Sequence, residues 1–276
     1  MQNNKNQCTE FLKWALPQLG FRWEGYRRVK RQVCKRINAR IAYLQLSGLD
    51  SYKEYLSKNP GEWRILDGMM HISISRFFRD YKSWELLGDK LLPELAARAI
   101  DEKRPLRCWS AGCASGEEPF SLAILYQEII KNSFPSLDFQ LIATDANTDL
   151  LQRAAKACYP AGNVKDVPAK WLQDSFNQTQ NEYCLRDYIK STVTFLNQDL
   201  REKVPDGQFD IVFCKNLVGM YFSTEKAIKV YNRIVEKICH GGFLFTGNHE
   251  PVPVEKIPGL ETYNRGLNIF RKCDSR

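Results

Sequence analysis

Apolar positions in the N-terminal third recur every three or four residues, the spacing of one α-helical face. Tyr26, Val29, Val33, Ile37, Ile41 and Leu44 form the longest such series, and Gly48 stops it. A second helix is predicted near Ser51–Leu56, with Ser51 or Asp50 as its cap. Trp84 to Ile100 is a further helical stretch, interrupted early by Pro93. The charged run DEKRP, residues 101–105, then breaks the pattern and marks the expected domain boundary.

Beyond that run, strand and helix patterns alternate. Strands are predicted over 106–110, 139–144, 193–196, 209–214 and 243–246, with a last one over 268–270. Helices are predicted over 117–130, 149–157 and 224–239. Pro119 falls in the first turn of its helix, where no amide hydrogen is needed. Gly241-Gly242 is expected to turn the chain into the strand that follows. Alternation of this kind implies a parallel sheet covered by helices on both faces. In such sheets ligands bind beyond the carboxyl ends of the strands, at the point where strand order reverses.

Composition adds three constraints. The 276 residues, 43% hydrophobic and 12% aromatic, suffice for a packed core, so a disordered chain is excluded. The polar opening MQNNKNQ has no apolar run behind it and no run approaches 18 apolar residues, so neither a leader peptide nor membrane insertion is expected. The net charge of +8 is confined to the first third: residues 1–100 hold 18 Lys and Arg against 10 Asp and Glu, and residues 101–276 hold 22 of each. Much of the excess lies on the polar side of the first helix, at Arg27, Arg28, Lys30, Arg31, Lys35, Arg36 and Arg40. Seven cations with no acid between Tyr26 and Leu46 exceed what solubility needs and point to an acidic partner, either a protein surface or nucleic acid. The nine cysteines are scattered without a CxxC, which argues against zinc and for no metal; a cytoplasmic, reducing setting fits best. Cys108 and Cys214 lie inside apolar strand patterns and read as small buried hydrophobes.

The candidate chemistry lies at the strand ends, first in RCWSAGCASGEEPFSLA, residues 107–123. Ala111, Gly112, Ala114, Ser115 and Gly116 let a ligand approach the backbone closely. Glu117 and Glu118 stand where a phosphate-binding loop carries its lysine, and the dinucleotide GxGxxG is absent. Two carboxylates would repel a phosphate and suit a cation. Asp145 ends the next strand, where a carboxylate can accept both hydroxyls of a ribose. A cationic nucleoside without phosphate fits, and S-adenosylmethionine is such a molecule. On spacing alone an ordinary glycine turn remains open, with Glu117 merely favouring its helix N-terminus.

Longer strings narrow the choice. WSAGCASGEEPFSLA resembles the first motif of the chemotaxis receptor methyltransferases, the CheR family. RFFRD (76–80), FDIVFCKN (209–216) and GGFLFTGNHE (241–250) resemble that family's FFR segment, FDxIFCRN strand and GGxLFxGxSE strand, in the same order. The basic start, residues 25–56, resembles its helical N-terminal domain, so the likeness covers nearly the whole chain. It implies a Rossmann-like class I methyltransferase sheet (101–276) behind a small all-helical domain (1–100), with a small β-subdomain near 176–195. It also implies S-adenosylmethionine as cofactor, glutamates on the cytoplasmic helical bundle of a chemoreceptor as substrate, and protein-glutamate O-methyltransferase activity. The cofactor positions carried over are Ser73, Ser75, Arg79, Glu117, Asp145, Asp199, Leu200, Asn216 and Leu217. Arg79, Asn216 and Tyr221 are expected at the reacting end, and Arg27, Arg28, Arg31, Lys35 and Arg36 at the receptor. The three histidines, His71, His240 and His249, read as structural or incidental, and glutamate methylation asks for no base.

The chain departs from that pattern in places. Ser73 and Ser75 replace an Asn and a Thr before FFR. FCKNLVGMYF replaces FCRNVLIYF, with Lys215 for an arginine and an extra residue that includes Gly219. That loop is expected to shape the substrate side, which leaves two alternatives: the same fold acting on another substrate, such as a small carboxylic acid or RNA, or an inactive cofactor-binding signalling module. Asn216 is followed by Leu-Val-Gly without the prolines of enzymes that methylate nucleic-acid amines, which argues against nucleic acid. The short glycine-free stretch 176–195 argues against tethering to a receptor tail.

Overall fold

The computed structural model describes residues 2–73 and 75–274. Two compact units form: one holds the chain up to Ser73 together with Val218–Ala227, the other the rest of the described chain.

The first unit is helical: α1 Gln2–Gln18, α2 Trp23–Tyr26, α3 Lys30–Tyr43, α4 Leu49–Lys58 and α5 Glu62–Met70, plus the helical turn Val218–Tyr221. Tyr26, Val33, Ile37 and Ile41 of the predicted face are buried. The series is split at Val29, which caps α3 with non-helical torsions. In α4, Ser51 is not the cap but the third residue of the helix. Its hydroxyl bonds back to both the N–H (3.1 Å) and the carbonyl (2.8 Å) of Gly48. Arg40, expected on the solvated basic face, turns inward instead. Its guanidinium forks onto the buried Glu62 carboxylate at 2.9 and 2.8 Å, and Tyr52 Oη donates to the same group at 2.8 Å. Lys30 is likewise drawn to Thr9 Oγ1, at 3.3 Å.

In the second unit, α6 Tyr81–Leu86 runs through a π turn, Leu87–Leu91, into α7 Leu92–Asp101. Pro93 therefore does not interrupt the helical stretch: the wider turn ahead of it, with Leu92 N–H reaching Leu87 O, absorbs the missing donor. The main sheet comprises β1 Leu106–Ala111, β2 Phe139–Asp145, β6 Val193–Asn197, β7 Phe209–Phe213, β8 Ile238–Phe245, β9 Leu260–Asn264 and β10 Ile269–Lys272; β3 to β5 lie apart. Its order is β6-β2-β1-β7-β8-β10-β9. The first five strands run parallel, and β10 is antiparallel to both β8 and β9. This is the expected Rossmann-like class I methyltransferase sheet, with its switch point between β1 and β7. Helices α8 Glu117–Leu125, α9 Thr148–Lys156 and α10 Thr224–Glu236 alternate with the strands. Gly241-Gly242 do not precede the strand but lie within β8, inside a register shift: Ile238 pairs with Phe209 and Phe243 with Ile211, and Gly241 takes φ 70° between them.

The small sheet is β3 Cys158–Pro160, β4 Phe176–Gln178 and β5 Glu182–Leu185, in the order β3-β5-β4. It begins earlier than the stretch 176–195, because its first strand follows α9 directly. Disulfides join Cys8 to Cys34 and Cys158 to Cys184, which the expectation of a reducing setting did not anticipate. Cys108 and Cys214 are buried as expected.

The charged run 101–105 lies inside the second unit. The apolar side of α7 (Leu92, Leu95, Ala96, Ala99) is buried in that unit's core. Arg104 is held too: its Nη1 and Nη2 donate to Asp210 at 2.8 Å each, joined by Arg98 Nη2 at 2.9 Å and Arg107 N at 3.1 Å. Asp210 is fully buried at the start of β7, so these donors replace its water.

Two predictions follow from these buried carboxylates. Asp210→Ala is expected to lower the unfolding free energy by about 3–5 kcal/mol, since it strands the guanidinium partners, read from the urea midpoint of the full chain. Arg40 holds the Glu62 carboxyl below its usual range. Its stabilisation is therefore complete above the unfolded value of about 4.3 and is lost as pH falls through the lower native value. The stability gap between wild type and Glu62→Gln should narrow as urea titrations move from pH 7 to pH 3.

Candidate active site

The C-terminal ends of β6, β2, β1 and β7 lie along one edge of the sheet, with the switch point between β1 and β7. After β1 the backbone enters the loop 112–116, with Gly112 (φ 76°), Ala114 (φ 50°) and Gly116 (φ 92°) in the left-handed region. A side chain at Gly112 would lie 2.5 Å from Leu217 Cδ2, and one at Gly116 would lie 3.0 Å from Ala154 Cβ and 3.1 Å from Tyr159 Oη. Glycine is required at both for positive φ and close approach together.

Two acids fix this loop, and a third stands beside them. Asp145, at the end of β2, accepts from Ala114 N (2.9 Å) through Oδ2 and from Asn147 N (2.8 Å) through Oδ1. Glu117 opens α8 and is buried; Ser115 Oγ donates to it at 2.9 and 3.0 Å, and Asn163 Nδ2 at 2.7 Å. Glu118 has a different set of partners and, unlike Glu117, stays partly exposed. It takes Ser110 Oγ at 2.7 Å. Burial pushes its carboxyl up to about 7, against the pull of Lys215, the Ser110 bond and Arg79. The two adjacent glutamates thus have separate surroundings, and only Glu117 belongs to the loop's own hydrogen-bond set.

The RFFRD segment is anchored beside them. Phe77 N donates to Asn163 O (2.9 Å) and Phe78 N to Ser121 Oγ (2.9 Å). The Phe77 ring packs against Tyr159 and Phe176, and Phe78 against Trp84. The Arg79 carbonyl takes Trp84 Nε1 at 2.9 Å and Lys215 Nζ at 3.3 Å. Ser75 O meets Asn163 Nδ2 at 3.4 Å. Lys215 was expected to face the substrate side. Its side chain is only 6% exposed; it donates to Ser83 Oγ at 3.2 Å and lies 3.8 Å from Asp80. Burial depresses its pKa, and Glu118 and Asp80 oppose that. The change from arginine to lysine is thus a change in the core.

Asn216 and Leu217 follow β7, and both amides point at Glu250 Oε atoms (2.6 and 3.1 Å). Asp199 follows β6, with its carboxylate gripped by Arg201 at 2.6 to 3.0 Å, and Leu200 is buried. Gln198, just before them, has a buried Oε1 without a hydrogen-bond partner. Ser73 and Tyr221 are not in this unit: Ser73 ends the first unit exposed, and the Tyr221 ring packs 5.0 Å from Tyr26. Arg27, Arg28, Arg31, Lys35 and Arg36 are all exposed in the first unit, and Arg36 also donates to the carbonyls of Met69 and His71. His71 and His240 lie 3.5 Å from Asp67 and Asp274, and His249 is exposed. Glu182 has a carboxylate oxygen within 4.8 Å of the Cys158 and Cys184 sulfurs. Those sulfurs are joined to each other, and a disulfide is not a thiolate ligand.

Sequence reasoning placed Ser115 in the loop only as a small residue, and it missed Tyr159, Asn163, Gln198 and Glu250 as contributors. Glu250 alone carried a signal, as the acid closing the quoted string GGFLFTGNHE. Tyr159 and Asn163 belong to a stretch without periodicity, and only the path of β3 brings them to the loop. Tyr159 Oη donates to Ser115 O at 2.7 Å.

Comparison with known proteins bears on this arrangement. Residues 73–262 match the family described as CheR methyltransferase, SAM binding domain. A "Probable chemotaxis protein methyltransferase" of Rhizobium etli is 31% identical over 87% of this chain and 90% of its own. Chemotaxis protein methyltransferases of Listeria monocytogenes (86% of this chain, 88% of the relative) and Borreliella burgdorferi (76% and 77%) are each 29% identical. With the sheet order, the glycine loop and the flanking acids in place, the chain belongs to the CheR methyltransferase family and uses S-adenosylmethionine.

Proposed function

We propose that this protein transfers the methyl group of S-adenosylmethionine to glutamate side chains on the cytoplasmic helical bundle of a chemoreceptor. The observation that carries this reading is the glycine loop held between Glu117 and Asp145, in a chain of this family.

The residues fit the cofactor. The Gly112 backbone has no Cβ to keep a ligand away. Glu117 suits an ammonium group, and Asp145, with about four lone-pair sites, can share itself between backbone amides and ribose hydroxyls. The buried Gln198 Oε1 offers an acceptor for an exocyclic amine of the base, beside Asp199 and Leu200. Arg79, through its fork, suits the carboxylate of the amino-acid end. Asn216 and Leu217 would line the methyl side. S-adenosylmethionine supplies an electrophilic methyl on a sulfonium.

The protein's task is then positioning. A glutamate acceptor, with a pKa of about 4.3, is already ionised and needs no base. The new bond joins a carboxylate oxygen to the methyl carbon as the carbon–sulfur bond breaks, giving an ester and a neutral thioether. Opposite charges disappear together, so a dry pocket that aligns the atoms favours the reaction. The five exposed cations of the first unit suit the acidic surface of a receptor bundle. The inward Lys215 removes one reason for supposing a different substrate.

Calorimetric titration of the wild type with S-adenosylhomocysteine should show micromolar binding, weakened at least tenfold in Asp145→Ala. A wild type that binds none would count against both methyl transfer and a cofactor-binding module, and would leave a fold that has lost its ligand as the better reading. With labelled cofactor and a cognate receptor, the label should be released by alkali; alkali-stable label would exclude an ester. Arg27→Glu with Arg31→Glu should raise the KM for receptor at least threefold, and added salt should shrink that difference.

A further inference from the structure

Glu250 does more than fill a buried position after β8. Its side chain is 2% exposed. Oε2 accepts from Asn216 N at 2.6 Å and Gly247 N at 3.0 Å; Oε1 accepts from Leu217 N at 3.1 Å and Tyr231 Oη at 3.3 Å. Three main-chain donors and a hydroxyl converge on one carboxylate, which replaces the water that it lost. The backbone of the acid is fixed as well. Glu250 N donates to Gly247 O at 2.9 Å. Asn268 Nδ2 donates to Gly247 O at 2.7 Å and to Glu250 O at 2.9 Å, from the turn that enters β10.

The other side of this contact is the loop after β7. Asn216 holds φ at 56°, a left-handed conformation that asparagine visits more readily than most residues and that its surroundings here select. The selection is direct, because the amides of Asn216 and Leu217 both aim at Glu250. Leu217 in turn lies over Gly112. A single carboxylate therefore ties the end of β7 to the end of β8 and sets how Leu217 meets the glycine loop.

We propose that Glu250 is a positioning residue for methyl transfer: it holds Asn216 and Leu217 in the arrangement that aligns the acceptor with the methyl group. This rests on the reading that those two residues line the methyl side. A carboxylate is needed because donors reach both oxygens. A glutamine has the same shape but one acceptor oxygen, and its NH2 would oppose backbone N–H groups. Small misalignments at a reacting centre cost up to about 100-fold in rate.

The test compares the full-length wild type with Glu250→Gln and Glu250→Asp. Methyl-transfer rates to a cognate receptor are measured with thermal melting and hydrogen exchange of the amides of residues 214–218. Glu250→Gln is expected to lower kcat at least tenfold while the KM for receptor stays within threefold. Exchange at Asn216 and Leu217 should quicken at least tenfold, with the β1 amides unchanged. Glu250→Asp should recover part of kcat, since it keeps both oxygens. A merely structural role would lower the melting temperature and leave the kcat of the folded variant within twofold of wild type; that result overturns the proposal, as does unchanged exchange at 216–217. Should Glu250→Gln not fold, Glu250→Asp decides by the same criteria. If the wild type methylates no receptor, the proposed substrate is wrong; exchange at 216–217 then judges Glu250 by itself, and unchanged exchange still overturns it.

Discussion

A carboxylate removed from water must find other donors, and in this fold those donors are largely the backbone and side chains of the segments that flank the sheet. Asp210 gathers Arg98, Arg104 and the Arg107 amide at the amino end of β7. At the opposite end, Asp145, Glu117 and Glu250 gather amides and hydroxyls from the loops after β1, β2 and β7. Each acid thereby fixes the segment that satisfies it. The loops at the switch point are ordered less by apolar packing than by the need of buried charge for partners. This explains why loops with so many left-handed residues keep one conformation.

Separating those two ends divides the labour of the second unit. The Asp210 cluster binds α7 and the run 101–105 to the sheet and touches nothing at the switch point. Glu118 and Lys215 occupy a middle layer, where burial raises the acid and lowers the base and their attraction opposes both shifts. Glu117 and Asp145 hold the loop 112–116. β7 and the residues just after it contribute to all of these, through Asp210, Lys215 and Asn216.

Much of the fold was legible because its signals are periodic. The buried parallel strands β1, β2 and β7 are short apolar runs, and Gly112, Gly116 and the acids after them stand out against that background. What escaped depended on geometry that periodicity does not carry. Pro93 signals a break, yet a π turn absorbs it. Gly241-Gly242 signals a turn before the strand, yet the pair forms an irregularity within β8. Arg40, Arg104 and Lys215 look like surface cations in sequence, and each is claimed by an acid distant along the chain: Glu62, Asp210 and Asp80. The Ser51 hydroxyl signals a cap and serves as its reciprocal partner two residues into the helix. Partners far apart in sequence were the common cause of error.

The path of β3 has a consequence for modularity. Its small sheet could be mistaken for a detachable cassette, exchangeable among relatives to change what the enzyme recognises. Yet Tyr159, in its first strand, holds Ser115, and Asn163, three residues beyond that strand, holds Glu117. A transplant cut at Cys158 would carry away the pillars of the recipient's glycine loop. The seam that would permit such a chimera lies later in the chain, beyond Asn163.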